Sequence, residues 1–134
     1  MDKLLFATAF ILQFVGHRIG DYFLQTDYQA QHKSKSLLVR ARHCLVYSLT
    51  IGALLLFAFD ARLAIIVFGL TWIEHVVIDS RTPVVGWKKL LERLVRNKGF
   101  DIEKMPFFVL IEIDQTIHIM RICAISLLIA YGVF

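Results

Sequence analysis

Four apolar stretches of this chain are long enough to cross a bilayer, and each contains or borders ionisable residues. A hydrocarbon core of roughly 30 Å takes about 20 predominantly apolar residues in a helix, because every backbone polar group must be satisfied within the segment. The stretches fall at 4–25, 43–59, 61–79 and 105–133, and Asp60 alone separates the second from the third, which makes those two a tight antiparallel hairpin. With 57% of its 134 residues hydrophobic, the chain carries more apolar surface than a soluble domain of this size can bury. The expected fold is all-α: a single integral-membrane domain spanning 1–134, built as a four-transmembrane-helix bundle.

Charge orients the bundle. The loop between the first two spans carries Lys33, Lys35, Arg40 and Arg42, and the loop before the fourth carries Arg81, Lys88, Lys89, Arg93, Arg96, Lys98 and Lys104. The opposite side has only Lys3 and Arg62. The excess of Lys and Arg predicts that these two loops are cytoplasmic and that both termini lie outside. Such loops meet anionic lipid, so the net charge of +4 points to membrane lipids as partners and away from nucleic acid. Within the second basic loop, Val84, Val85, Trp87, Leu90, Leu91 and Leu94 alternate with charged residues in a helical rhythm. That rhythm predicts a cytoplasmic amphipathic helix at about 84–97 lying in the lipid interface. Cys44 and Cys123 stand alone in apolar segments, which excludes a disulfide framework. No small-residue cleavage site follows the first apolar run, so that run is expected to belong to the mature chain.

The polar residues within the spans follow one rule. His17 and Asp21, His75 and Asp79, and Asp114 and His118 are each spaced i, i+4, which places both members of a pair on one helical face. His43 opens the second span. Under the expected topology all seven lie in the cytoplasmic half of the bilayer. An intrahelical hydrogen bond explains any one pair, whereas three pairs at similar depth predict a shared polar site, and buried ionisable groups at membrane depth usually serve a function. Imidazole and carboxylate donors of this number fit one or two divalent ions, with zinc first and manganese or magnesium as alternatives. The expected metal ligands are His17, Asp21, His43, His75, Asp79, Asp114 and His118. His43 is alternatively a general acid or base, Gln25 and Gln115 are candidates for orienting substrate, and Arg121 for neutralising its charge. Asp27 is read as capping a following turn, His32 as lying outside the site, and Gly16 with Gly20 as a GxxxG allowing close helix approach.

In order, His17-x-x-x-Asp21-x-x-x-Gln25-Thr26-Asp27, His43, His75-x-x-x-Asp79 and Asp114-Gln115-x-x-His118 resemble a family of small bacterial and phage-associated integral-membrane proteins known as a domain of unknown function. The resemblance covers about Phe10 to Arg121 and implies a bacterial inner-membrane location. A more distant resemblance is to predicted membrane-bound metal-dependent hydrolases, which also place His and Asp on their helices.

The leading expectation is a membrane-embedded metal-dependent hydrolase acting at the cytoplasmic face on a phosphorylated or lipid-linked substrate, its metal lowering the pKa of a bound water. The alternatives are a non-enzymatic module, meaning an ion or proton conduit or a structural metal-binding bundle, strengthened by homo-oligomerisation, and a phage or defence effector acting on membranes.

Overall fold

The structure, a computed structural model, describes residues 1–95 and 106–134. The described residues are helical, with no strand: α1 (Lys3–Arg18) runs into a π-helical turn (Ile19–Phe23), followed by α2 (Asp27–His32), α3 (Leu37–Leu55), α4 (Ala61–Ile78), α5 (Thr82–Val95) and α6 (Phe107–Ala130). Side chains set most of the helix starts. Asp2, Ser36 and Asp60 accept backbone N–H groups at the heads of α1, α3 and α4, and Thr26 with Gln29 forms a reciprocal capping box at α2, satisfying donors with no intrahelical partner.

α3, α4 and α6 are long and apolar enough to cross a membrane. The first expected span differs from a straight helix over 4–25, because its α-helical part ends at Arg18 and the π-turn closes with Leu24 N–H donating to the Ile19 carbonyl at 3.0 Å. α3 begins at Leu37, six residues before the expected start, because Ser36 caps it. Thr26, not Asp27, caps the helix that follows the π-turn; Asp27 is that helix's first residue. The amphipathic helix forms from Thr82 to Val95. Its expected end at 96–97, the basic residues Arg96, Lys98 and Lys104, and Met105 at the head of the fourth span lie outside the described residues.

The helices pack antiparallel, α1 against α6 and α3, and α3 against α4. Asp2 N–H donates to the Ala130 carbonyl at 3.0 Å, tying the start of α1 to the end of α6. The interior has two halves. Ala9, Ile51, Leu55, Ala64, Val67, Ile125 and Ile129 fill one end, with Tyr47 at its boundary. The other end is polar, and in all twelve polar or charged side chains stand beside thirteen apolar ones among the described buried residues. Large apolar side chains such as Phe23, Ile65, Ile73, Phe108 and Met120 point outward. A protein core in water shows the reverse bias.

The GxxxG brings α1 onto α3. A Cβ on Gly16 would lie 2.8 Å from Ile51 Cγ1, and one on Gly20 would lie 2.9 Å from Tyr47 Cδ2 and 3.0 Å from Tyr47 Cα. The backbone contact at Gly20 has no flexible end to give way. Gly20→Ala is expected to destabilise the fold by about 1–3 kcal/mol through overpacking, read as a lowered unfolding midpoint in detergent. Gly69→Ala, where an added Cβ meets nothing within 4 Å, is expected to leave that midpoint in place or raise it.

Candidate metal centre

The cluster at the polar end is assembled from three elements. The π-turn supplies Asp21, the second turn of α3 supplies His43, and the last turn of α4 supplies His75 with Asp79 just beyond it. π-turns inside helices concentrate at functional sites, and here the wider turn carries Asp21 into the bundle. One atom from each of Asp21, His43, His75 and Asp79 lies within 4.8 Å of the others, and all four residues are buried. His43 Nε2 is 3.0 Å from Asp21 Oδ1 and 3.4 Å from Asp79 Oδ2. His75 Nε2 is 3.9 Å and 3.3 Å from the same two oxygens, and 3.3 Å from His43 Nε2. Four donors bonded tetrahedrally at about 2.0–2.1 Å to one zinc stand about 3.3–3.4 Å apart, and the five separations, 3.0–3.9 Å, bracket that value.

Hydrogen bonding gives an independent reason. His118 Nδ1 donates to the Asp114 carbonyl at 2.8 Å, since a carbonyl only accepts. In a neutral ring its Nε2 is then a lone pair and accepts from His75 Nδ1 at 3.0 Å. That leaves the lone pair of His75 Nε2 aimed at the two carboxylates. Both Asp79 oxygens are buried without a hydrogen bond of acceptable geometry among the described residues. Polar atoms of two carboxylates and two imidazoles therefore converge on one point, which calls for a cation.

The cation beside them is Lys33, in the short turn between α2 and α3. Its Nζ lies 3.0 Å from Asp21 Oδ1, 2.9 Å from Asp79 Oδ2 and 3.2 Å from His43 Nε2. Burial disfavours its charge, but Asp79 and Asp21 outweigh burial and hold the ammonium above the usual lysine value. Nothing in the sequence marks Lys33 apart from its basic neighbours.

A second chain of hydrogen bonds fixes Asp21 from behind. Arg121 donates to the Tyr47 hydroxyl at 3.1 Å, Tyr47 donates to His17 Nδ1 at 3.0 Å, His17 Nε2 donates to Gln115 Oε1 at 2.9 Å, and Gln115 Nε2 donates to Asp21 Oδ2 at 3.0 Å. The chain runs from a cation to an anion with a donor facing an acceptor at each link, and it leaves Asp21 Oδ1 facing the cluster. Tyr47 also stacks on the His75 ring at a centroid distance of 3.8 Å. Tyr47 lies one turn beyond His43 and Thr71 one turn before His75, so extending the i, i+4 rule to hydroxyl residues finds both.

The expected ligands thus divide. Asp21, His43, His75 and Asp79 come together. His17 is taken up by Tyr47 and Gln115, and His118 stands behind His75 with both ring nitrogens engaged. Asp79, Asp114 and His118 form a second group of possible donors, at 3.6–3.8 Å, in which both ring nitrogens of His118 are already engaged. His43 turns its Nε2 into the first group. Arg121 does not reach the cavity, because Thr71 at 2.9 Å and Tyr47 hold it. Gln25 donates to the Asp21 carbonyl at 3.0 Å, and Gln25 and Gln115 both line the cavity. Arg18 stacks on Tyr22 at 4.1 Å. His32 bonds the Tyr28 carbonyl at 2.9 Å, away from the cluster.

The cavity, of about 670 Å³, reaches Asp21 and Asp79 at its inner end. Lys33, Lys35, Arg81 and Lys88 contribute positive charge to its walls, and Val84, Val85, Phe107, Leu110 and Ile111 make an apolar side. Arg81 adopts φ 61°, a left-handed conformation unusual for a residue with a side chain and concentrated at functional sites. Its guanidinium lies 5.4 Å from the centroid of the Phe107 ring.

Tyr47→Phe removes the hydroxyl that joins Arg121 to His17 and strands both partners. The expected loss of stability is about 1–3 kcal/mol, as for buried groups left without a partner, checked by unfolding in detergent. An unchanged midpoint would show that the chain carries no stability.

No curated protein and no solved structure matches the sequence. Residues 9–133 match a family described as a protein of unknown function, DUF3307. That match takes in every residue of the cluster, the cavity and the hydrogen-bond chain, and the chain belongs to this family.

Proposed function

We propose that the protein is a membrane-embedded, metal-dependent hydrolase that acts at the cytoplasmic face on a phosphorylated, lipid-linked substrate. The observation that carries the reading is the convergence of Asp21, His43, His75 and Asp79 at the inner end of a cavity with one cationic and one apolar side. In this reading α1 with its π-turn serves as a fourth span, both termini are outside, and the site opens to the cytoplasm of a bacterial inner membrane. The basic residues Lys33, Lys35, Arg40, Arg42, Arg81, Lys88, Lys89 and Arg93 gather at the end that holds the site, as the charge rule for cytoplasmic ends requires. Trp87, Leu90 and Leu94 of α5 are exposed and suit an interfacial helix that covers the cavity at headgroup depth.

A divalent ion, zinc first, held by the four donors would supply an activated water and polarise a phosphoryl group. Water adds to phosphorus, the ester P–O bond breaks, and phosphate and an alcohol result. The chain's own residues do the rest. Lys35 and Arg81 hold the anionic head, the apolar wall receives the lipid stem, Gln25 and Gln115 border the reacting group, and His118 fixes the tautomer of His75. The conduit alternative needs a polar path across the whole bundle, but beyond Gln13 and Ser126 the described interior is Ala9, Ile51, Leu55, Ala64, Val67, Ile125 and Ile129.

Detergent-purified protein titrated with zinc is expected to take up about one equivalent, and Asp79→Asn to take up none, because one carboxylate of the set is lost. His118→Ala is expected to weaken zinc by about 10–100-fold without abolishing it, as for a residue that orients a ligand. Elemental analysis and a chelator competition measure both. Release of inorganic phosphate from a lipid monophosphate in mixed micelles is expected to need the metal and to fall by more than about a hundredfold in Asp79→Asn. Zinc uptake without hydrolysis of any phosphorylated amphiphile would leave a structural metal bundle instead.

A further inference from the structure

Lys33 stands where its charge conflicts with a metal ion. Its Nζ is 3.0 Å from Asp21 Oδ1, 2.9 Å from Asp79 Oδ2 and 3.2 Å from His43 Nε2. It therefore caps one triangular face of the four-donor set, the face opposite His75. An ion seated at the centre, with bonds of about 2.0–2.1 Å, would lie only about 3 Å from Nζ. That is too far for an amine to act as a ligand, and an ammonium has no lone pair to offer. It is also too near for two cations to share a buried site, where charges are poorly screened.

We propose that Lys33 is a built-in competitor for the metal: its ammonium closes the Asp21/His43/His75/Asp79 site when no ion is bound, and it must swing into the adjoining cavity for a divalent cation to enter. The proposal rests on the metal centre described above and adds its regulation. Charge gives the exchange a direction. One ammonium sets a single positive charge against two buried carboxylates, and a divalent ion sets two, so the plug stabilises the empty site without neutralising it. Space gives the exchange a route, because Lys33 itself lines the cavity of about 670 Å³, and the stem of a lysine has four rotatable bonds. Its turn is pinned on the far side by Arg40, which donates to the Lys33 and Ser34 carbonyls at 3.2 and 3.5 Å. The backbone stays and the side chain moves. A released Lys33 then points toward the place an anionic head would occupy, so metal and anion favour the same position of the side chain.

The test compares zinc affinity by chelator competition in detergent for the wild type, Lys33→Met and Lys89→Met. A plug seated nine times in ten reduces apparent affinity about tenfold, so Lys33→Met is expected to bind zinc at least about tenfold more tightly. Lys89→Met removes the same charge from an exposed position outside the cavity and is expected to stay within about twofold, as a solvent-screened charge should. A second measurement needs no variant. Amine acetylation of the wild type, read peptide by peptide, is expected to label Lys33 faster relative to Lys35 once zinc is added. Equal or weaker zinc binding by Lys33→Met, beside normal binding by the wild type, overturns the competitor and spares the metal centre. Lys33 labelling that zinc leaves unchanged does the same, and it decides the matter where Lys33→Met does not fold. Failure of both proteins to bind zinc overturns the competitor and the metal centre together.

Discussion

Two carboxylates brought face to face inside a helical bundle need a cation, and the polar half of this protein is organised around that need. Burying one ion costs several kcal/mol even after the surroundings relax, and two of like sign repel as well. Asp21 and Asp79 are held in that position by otherwise unrelated features: a π-turn at the end of α1, the final turn of α4, and a hydrogen-bond chain from Arg121 through Tyr47, His17 and Gln115. Such arrangements persist where the charge is used. The imidazoles of His43 and His75 bring two ring nitrogens to the same point, which suits a cation that takes nitrogen and oxygen together.

The rest of the fold is consistent with a lipid surround. Outward-facing residues are large and apolar, so burial of apolar area cannot by itself choose one packing, and close backbone contact and polar bonds take over that task. Gly16 and Gly20 against Ile51 and Tyr47 are the close contact. Gln13 donating to Ser126 at 2.9 Å and Arg121 donating to Thr71 are the polar bonds. Tyr47 belongs to both systems, because it borders the apolar core, receives Gly20, stacks on His75 and passes a hydrogen bond to His17. It is the joint between the part of the bundle that holds the helices together and the part that holds the site.

Much of this was legible in the residues. Apolar run lengths located α3, α4 and α6, and the i, i+4 spacing located the His and Asp residues that converge. Periodicity works there because a helix converts spacing into direction. Spacing does not show where the backbone leaves the α-helical register, as it does in the π-turn at 19–23 that carries Asp21. It also ranked all seven expected ligands alike, since spacing says which residues share a face but not which nitrogen of a ring is already engaged. His17 and His118 drop behind the first rank for that reason alone. Lys33 was invisible, because a lysine in a basic turn has the same signature whether it faces water or two buried acids, and spacing along one helix does not show that Arg121 bonds Thr71 and Tyr47, which come from other helices.

The central claim is that four side chains from the π-turn, α3 and α4 form one compact nitrogen and oxygen donor set. X-ray absorption at the zinc edge of the reconstituted, zinc-loaded protein tests it most directly. The account predicts the four protein donors and one water, about five nitrogen or oxygen neighbours at about 2.0–2.2 Å, the outer-shell scattering of two imidazoles, no sulfur, and loss of one imidazole in His43→Ala. A spectrum of six water-like oxygens, or one with a sulfur neighbour from Cys44, would contradict it.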